Sequence, residues 1–167
     1  MAVKSLTATP ARTGLTGDDL HRYFDALARA VDRAVPTVPR TDSPRALLAR
    51  ERLRAAVWIH QVYRNPLSSA VFEGSTGRVA REARCAQSAA LARRLAGLTS
   101  PASAPPMAVR AIAATAALWA VTEDAVTRCP RPPREQVVTD AWGVMQASLS
   151  PGRATSPLPF IRATGAW

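Results

Sequence analysis

The sequence predicts an all-α fold, and three observations support this prediction. Apolar residues recur at intervals of three and four along most of the chain, which is the spacing of one face of a helix. No segment of strand length alternates β-branched or aromatic residues with polar ones. The apolar fraction of 47% contains much alanine, the residue with the highest helix propensity.

Capping residues and prolines predict where the first helices begin and end. The first helix runs over about 17–35 and stops before Pro36. The second begins at Ser43, a good N-cap, followed by Pro44 at a position where its missing N–H costs nothing. It ends near Asn65, and a short turn or helix follows at 67–72. The apolar stripe predicted for the second helix consists of Leu48, Ala55, Trp58, Ile59 and Val62.

The third long helix is predicted over about 76–98 and carries many arginines. Its apolar side consists of Val79, Ala83, Ala86, Ala90 and Leu91. Arg78, Arg81, Arg84 and Arg94 lie largely elsewhere, so we expect a solvated basic face whose aliphatic stems lie along the helix.

Two further helices follow a Pro/Ser/Ala linker at 99–106. Val109, Ile112, Ala116 and Trp119 are in register on the helix at 107–128. The last helix, from 133 or 134 to 149, has Val137, Ala141, Val144 and Leu149 in register, with Trp142 beside them. Small residues between large ones allow close helix packing, so this pair is predicted to form the four-helix seam of a homodimer. Residues 150–167 are predicted to be disordered.

The net charge of +10 is concentrated in the middle of the chain. Residues 43–98 carry ten basic and three acidic side chains, whereas residues 1–42 have a net charge of only +1. A phosphate-binding surface on 43–98 is therefore an open alternative. Cys85 and Cys129 lie outside any CxxC pattern and are interpreted as small buried apolar residues of a reducing cytosol. No signal peptide or span of about 20 apolar residues is present, so a cytoplasmic protein with no membrane partner is predicted.

Motifs of enzymes are missing from the sequence. Neither His21 nor His60 has a neighbouring residue that suggests a nucleophile or a metal site, and no phosphate loop, HExxH or GxSxG occurs. The pair Glu123 and Asp124 fits a polar helix end better than a general acid and base. We therefore predict a protein that is not an enzyme and has neither cofactor nor metal.

Residues 5–24, SLTATPARTGLTGDDLHRYF, carry a resemblance to a known family. Gly14-Leu15-Thr16 has the composition of a tight turn, with Gly14 suited to left-handed geometry and Thr16 to capping the next helix. Leu20 and Phe24 are spaced to face a core. In this order the segment resembles helix two, turn and recognition helix of TetR-family transcriptional regulators. The later Ala- and Trp-bearing helices resemble that family's ligand-binding and dimerisation domain.

The resemblance implies both a reader head and an effector pocket. The DNA-contacting positions it implies are Thr16, Gly17, His21, Arg22 and Tyr23. The middle helices would hold a small hydrophobic effector, and the side chains expected to line that site are Trp58, Val62, Tyr63, Phe72, Trp119 and Glu123.

Several residues depart from the family pattern. Pro10 lies inside the expected helix two, and Asp18 and Asp19 would repel phosphate at the start of the recognition helix. The family's first helix has no counterpart here, because Met1 falls just before the expected helix two. We therefore expect residues 1–40 to be a partial or degenerate helix-turn-helix and 41–149 to be the ligand-binding and dimerisation domain. The predicted function is a TetR-like repressor with weakened or lost binding to operator DNA; the alternative is a dimeric ligand- or protein-binding module without sequence-specific DNA binding.

Overall fold

A computed structural model describes residues 14–36, 43–73, 77–96 and 106–150. These residues form six α-helices and no strand, so the all-α prediction is confirmed. The helices are α1 (Gly17–Ala34), α2 (Pro44–Arg64), α3 (Ser68–Glu73), α4 (Arg78–Leu95), α5 (Met107–Thr127) and α6 (Arg134–Leu149). The predicted second helix of the reader head, the linker at 99–105 and the tail at 151–167 lie outside the described residues.

Local capping chemistry explains where α1 and α2 begin. The Thr16 hydroxyl accepts a hydrogen bond from the Asp19 backbone N–H, and the Asp19 carboxylate accepts one from the Thr16 N–H, which together make a capping box. The Ser43 hydroxyl accepts from the Ala46 N–H, and Pro44 occupies the first turn of α2. Gly14, by contrast, does not adopt the positive φ expected of it, and none of the described glycines has a positive φ.

The core is built around α5, which contacts α2, α3, α4 and α6, while α1 packs across α2 and α4. Four aromatic rings occupy its centre. The Phe24 ring lies 5.1 Å from that of Trp119, and the Trp58 and Phe72 rings each lie 5.7 Å from Trp119, measured between centroids. The stripe predicted on α2 is confirmed for Ala55, Trp58, Ile59 and Val62, which are buried, while Leu48 is half-buried.

The four residues predicted to be in register on α5 do not share one environment. Trp119 is 2% exposed, whereas Val109 and Ile112 are 51% and 59% exposed and Ala116 is exposed as well. The buried stripe runs through Ala111, Ala114, Leu118, Thr122 and Ala125. The helix is rich in alanine on every side, so its hydrophobic pattern does not single out one face. Of the set predicted on α6, Val144 is 49% exposed, whereas Val137, Ala141, Trp142 and Leu149 are buried. Cys85 and Cys129 are exposed, so the expectation that they are buried is wrong.

No helix in the described part of the chain is long and apolar enough to cross a bilayer.

Candidate ligand pocket

A cavity of about 230 Å³ lies where α1, α2, α4, α5 and α6 meet. Its size is comparable with the cavity of about 150 Å³ that holds benzene in another protein. Large side chains form one part of the wall: Phe24, Trp58, Leu118, Trp119 and Met145. Another part of the wall contains Ala28 of α1 with Ala83, Ala86 and Ala90 of α4. The short side chains of these alanines are the local reason why the space is not filled.

A buried ionic network borders the cavity. Glu51 on α2 is 3% exposed and accepts a hydrogen bond from Nη1 of Arg54 at 2.7 Å. Arg94 on α4 donates to both oxygens of the same carboxylate, Nε at 2.7 Å and Nη2 at 2.9 Å. The Nη2 group of Arg54 donates to the Val35 carbonyl at the end of α1 at 2.8 Å. The network therefore ties together three of the helices that line the cavity.

This network corrects the prediction that Arg94 belongs to a solvated face. Its side chain is only 19% exposed and is paired with Glu51. Arg84 was expected on the same face, yet its guanidinium carbon lies 5.1 Å from the centre of the Trp119 ring, a cation–π contact. Arg78 and Arg81 are exposed as expected.

Two polar atoms at the cavity have no hydrogen-bond partner among the described residues. Thr115 is 1% exposed, and its hydroxyl oxygen has neither donor nor acceptor within reach. The Nε group of Arg54 is buried and equally without a partner. Buried polar groups in folded proteins are nearly always hydrogen-bonded, so these two atoms are exceptions, and both lie beneath the surface of the cavity rather than facing its open space.

A third polar group, Gln87, is already engaged. Its side-chain oxygen accepts a hydrogen bond from the Trp119 indole N–H at 2.6 Å. This contact fixes the orientation of the indole ring that forms part of the wall. Asp25 and Asp32 of α1 are also among the residues that line the cavity, and both are exposed.

The structure brings together only two of the six side chains expected to line the pocket. Trp58 and Trp119 line the cavity, whereas Phe72 packs behind them against both rings. Val62 is fully buried in the core, away from the cavity, and Glu123 is half-buried near the end of α5. The Tyr63 hydroxyl donates to the Pro132 carbonyl at 3.1 Å, and burial raises the pKa of this phenol.

Sequence reasoning missed the residues that give the cavity its chemistry. Phe24 was interpreted as a core residue of the reader helix, and Thr115, Glu51 and Arg54 were not considered. The available signal was the pair Glu51 and Arg54, which lies on the buried side of α2, one turn before Trp58. Charges that share an amphipathic helix's apolar face are buried and therefore paired.

The residues expected to contact DNA are divided between surface and core. Thr16, Gly17, His21 and Arg22 are exposed near the start of α1. Tyr23 is 8% exposed and its hydroxyl lies 2.7 Å from the Ser68 hydroxyl, so it does not face a DNA backbone. Arg22 donates to Asp19 at 2.7 Å. The hydrogen bonds from Thr16 and this contact lower the pKa of Asp19 to about 2, which keeps a negative charge at the helix start.

Other clusters of polar side chains among the described residues give weaker indications of a functional site. The Arg134 guanidinium lies 2.6 Å from Nδ1 of His60, which joins α6 to α2 beside a shallow groove. The described residues contain no group of three or more His, Cys, Asp or Glu side chains that would hold a metal ion.

The cavity at the junction of five helices thus combines an aromatic wall with a buried ionic network at its border. Comparisons of the chain with protein-family models, with curated proteins and with solved structures find no match.

Proposed function

We propose that this chain is a helical module that binds a small, mainly apolar molecule and acts as the effector-sensing part of a TetR-like transcriptional regulator. The observation that carries the proposal is the cavity bounded by Phe24, Trp58 and Trp119, with the buried network of Glu51, Arg54 and Arg94 at its border. Mostly apolar walls with a few placed polar groups are typical of small-molecule sites.

The position of α1 supports a regulatory role for such binding. The middle of this helix lines the cavity through Phe24, Leu27 and Val31, and its first two turns carry the segment that resembles a reader helix. A ligand that fills the cavity makes contacts with α1 that the empty state lacks. It therefore favours those positions of α1 in which these contacts are best, which is a population shift.

The acidic first turn of α1 argues against tight binding of this chain to operator DNA. Asp18 and Asp19 occupy the turn that would approach phosphate, and Arg22 is paired with Asp19. We expect the purified 167-residue chain to give no sequence-specific gel shift at physiological salt. A tight, sequence-selective shift would instead support a working reader head.

We also propose that the module is a homodimer, with the outer face of α5 as the contact surface. Five exposed positions on this face are apolar without interruption: Val109, Ile112, Ala113, Ala116 and Ala120. We call this set the α5 stripe. The three alanines leave room for a second helix to approach closely, and contiguous exposed apolar surface is a mark of interaction sites.

Ligand binding tests the proposal directly. A panel of small aromatic and aliphatic compounds is added while tryptophan fluorescence and melting temperature are recorded, because Trp58 and Trp119 both line the cavity. We expect a subset to change the fluorescence and raise the melting temperature, since a ligand that binds only the folded state stabilises it.

A cavity-filling variant makes this experiment specific. Ala90→Leu places a larger side chain at the cavity and should abolish the ligand response, whereas Ala89→Leu adds the same group to the exposed side of α4 and should leave it intact. Absence of any response across the panel, or an equal response in both variants, would contradict a ligand-binding function at this site.

A further inference from the structure

We infer that one end of the helical bundle binds the phosphate backbone of a nucleic-acid duplex without reading its sequence. This end, which we call the basic end, consists of residues 29–36 around the end of α1, 43–54 in the first half of α2 and 88–96 around the end of α4. It lies at the opposite end of α1 from the segment that resembles a reader helix. The inference is independent of the ligand-binding function proposed for the cavity.

Two contacts of the buried ionic network place these three segments side by side. Arg54 donates to the Val35 carbonyl at 2.8 Å, which joins α2 to the end of α1. Arg94 donates to both oxygens of Glu51, which joins the end of α4 to α2. Three arginines that are exposed lie within two residues of these contacts along the chain: Arg33, Arg52 and Arg93. The basic end is therefore one continuous region of the fold.

The net charge of the described residues is concentrated at this end. The basic end contains eight arginines and two carboxylates, which gives it a net charge of +6, whereas the remaining described residues contain nine arginines and nine carboxylates. The fold therefore changes the basic surface considered from sequence over 43–98. The second half of α2 and the first half of α4 belong to the neutral remainder, and the end of α1 joins the basic end instead.

The exposed arginines of the basic end differ from those elsewhere in their partners. Five of them make no hydrogen bond or ion pair within the described part of the chain: Arg29, Arg33, Arg45, Arg52 and Arg93. Four arginines outside the basic end each pair with a carboxylate within four residues: Arg22 with Asp19, Arg78 with Glu82, Arg128 with Asp124 and Arg134 with Glu135. Arginine keeps its proton at all ordinary pH values, so the charge at the basic end persists. Its mutual repulsion is relieved when a polyanion binds.

The spread of these arginines fits an extended polyanion rather than a small anion. Neighbouring helix axes lie about 8–10 Å apart, so arginines on three packed helices cover roughly 20 Å. A duplex presents one negative charge per about 1.7 Å of its axis and therefore offers phosphates across this whole span. The side chains need not converge on one point. Each guanidinium group also matches a phosphate through two parallel hydrogen bonds.

An anionic membrane surface is the competing partner, since it also attracts positive charge. Peripheral membrane sites combine basic residues with an apolar face that enters the lipid. In the described parts of α1, α2 and α4, Leu53 is the only exposed large apolar side chain. These three helices therefore lack such a face, and we expect a duplex to bind in preference to a lipid surface.

The salt dependence of duplex binding tests the inference on the full chain. Fluorescence anisotropy is recorded with two labelled DNA duplexes of unrelated sequence while the salt concentration is raised from about 50 to about 200 mM. We expect equal affinity for the two sequences. We also expect the logarithm of the affinity to fall linearly with the logarithm of the salt concentration, with a slope of about −4, because each neutralised phosphate contributes about −0.9.

Two triple variants assign the binding to the basic end. Both remove three exposed positive charges, so the two proteins have the same net charge and differ only in where it is lost: Arg33→Gln, Arg52→Gln and Arg93→Gln at the basic end, and Arg64→Gln, Arg78→Gln and Arg81→Gln outside it. We expect the first variant to lose at least about tenfold in affinity at about 0.1 M salt and its slope to become shallower by about 3. The second should lose less than about threefold, because salt screens distant charges.

Several outcomes would overturn the inference. These are no binding of the parent to either duplex at about 50 mM salt, equal losses in the two variants, or binding to phosphatidylcholine vesicles that contain phosphatidylserine in place of the duplex. Sequence-selective binding that survives in the basic-end variant would also overturn it and place the DNA contact on the start of α1. None of the six substituted arginines lines the cavity. The response to cavity ligands, measured on the same proteins, therefore judges the proposed function separately.

Discussion

Arg94 on α4 and Glu51 on α2 are joined by two parallel hydrogen bonds, 2.7 and 2.9 Å long, in a part of the chain where the carboxylate is almost completely buried. The pair has no sequence-local origin, since 43 residues separate its members. It connects two of the helices that line the cavity and, through Arg54, also the end of α1.

Glu51→Gln should therefore destabilise the protein strongly. The amide keeps the shape of the side chain but removes the negative charge that the guanidinium groups of Arg54 and Arg94 share. We expect the free energy of unfolding to fall by about 3 kcal/mol, as measured by urea denaturation. Glu82→Gln is the control, because its pair with Arg78 is exposed and 3.4 Å long and should change stability by less than about 0.5 kcal/mol. Equal effects of the two substitutions would show that the network does not hold the helices together.

Tyr23→Phe should affect stability rather than nucleic-acid binding. The substitution removes the buried hydrogen bond to Ser68, while Ser68 still donates to the Val62 carbonyl at 2.6 Å. We expect a loss of about 1 kcal/mol in the free energy of unfolding. A variant with unchanged stability but reduced affinity for DNA would instead place Tyr23 in contact with phosphate.

The same tyrosine predicts an alkaline loss of stability. Burial raises the pKa of Tyr23 above its ordinary value of 10.0, with the Ser68 hydrogen bond acting in the opposite direction. Above pH 10 the unfolded chain therefore gives up the phenolic proton before the folded chain does, and stability falls as the pH rises further. Urea titrations at a series of alkaline pH values should show a shallower decline for Tyr23→Phe than for the parent. Part of the decline should remain, because the pKa of Tyr63 is also raised.

Asp19→Asn should flatten the acid side of the stability profile. Its pKa is lowered from 3.8 to about 2, chiefly by the Thr16 hydroxyl, then by the Thr16 backbone N–H and Arg22. The stabilisation is fully present above pH 3.8 and is lost as the pH falls towards about 2. Melting temperatures measured across this interval should vary less in the variant. Asp18→Asn, which leaves the capping box intact, is the control and should retain the parent's dependence.

Ile112→Glu should convert the proposed dimer into monomers without unfolding it. Ile112 is 59% exposed, so the substitution is expected to change the stability of the monomer by less than about 0.5 kcal/mol. Sedimentation should show the parent as a dimer and the variant as a monomer. Leu53→Glu is the matched control, because Leu53 is also an exposed apolar residue but lies on α2, outside the α5 stripe. A parent chain that sediments as a monomer would rule out the homodimer.

The positions of the helices could be predicted from sequence because local chemistry determines them. Ser43 and Pro44 mark the start of α2, Thr16 that of α1, and the ends of the described helices lie within a few residues of the predicted ones. These signals need no knowledge of the rest of the fold, because a cap acts within a single turn.

The face that each helix buries was harder to predict. On α2 the large side chains Trp58 and Ile59 lie on one side, so the prediction was correct. On α5 alanines occur on every face and only a few larger residues distinguish one face from another. The surrounding helices therefore determine which face is buried. Most of the candidate site was missed for a related reason. Glu51 and Arg94 are charged residues of a kind usually found in solvent, and only their tertiary pairing brings them to the cavity.

The position of α5 between the cavity and an exposed apolar face has a consequence for how its two sides are coupled. Thr115 and Trp119 face the cavity, and Ile112 and Ala116 face outwards, so the inner and outer surfaces are separated by the thickness of one helix, about 10 Å. There is no intervening layer that could absorb a displacement. Any rotation or shift of α5 that reshapes the inner wall moves the outer side chains by the same rigid-body step.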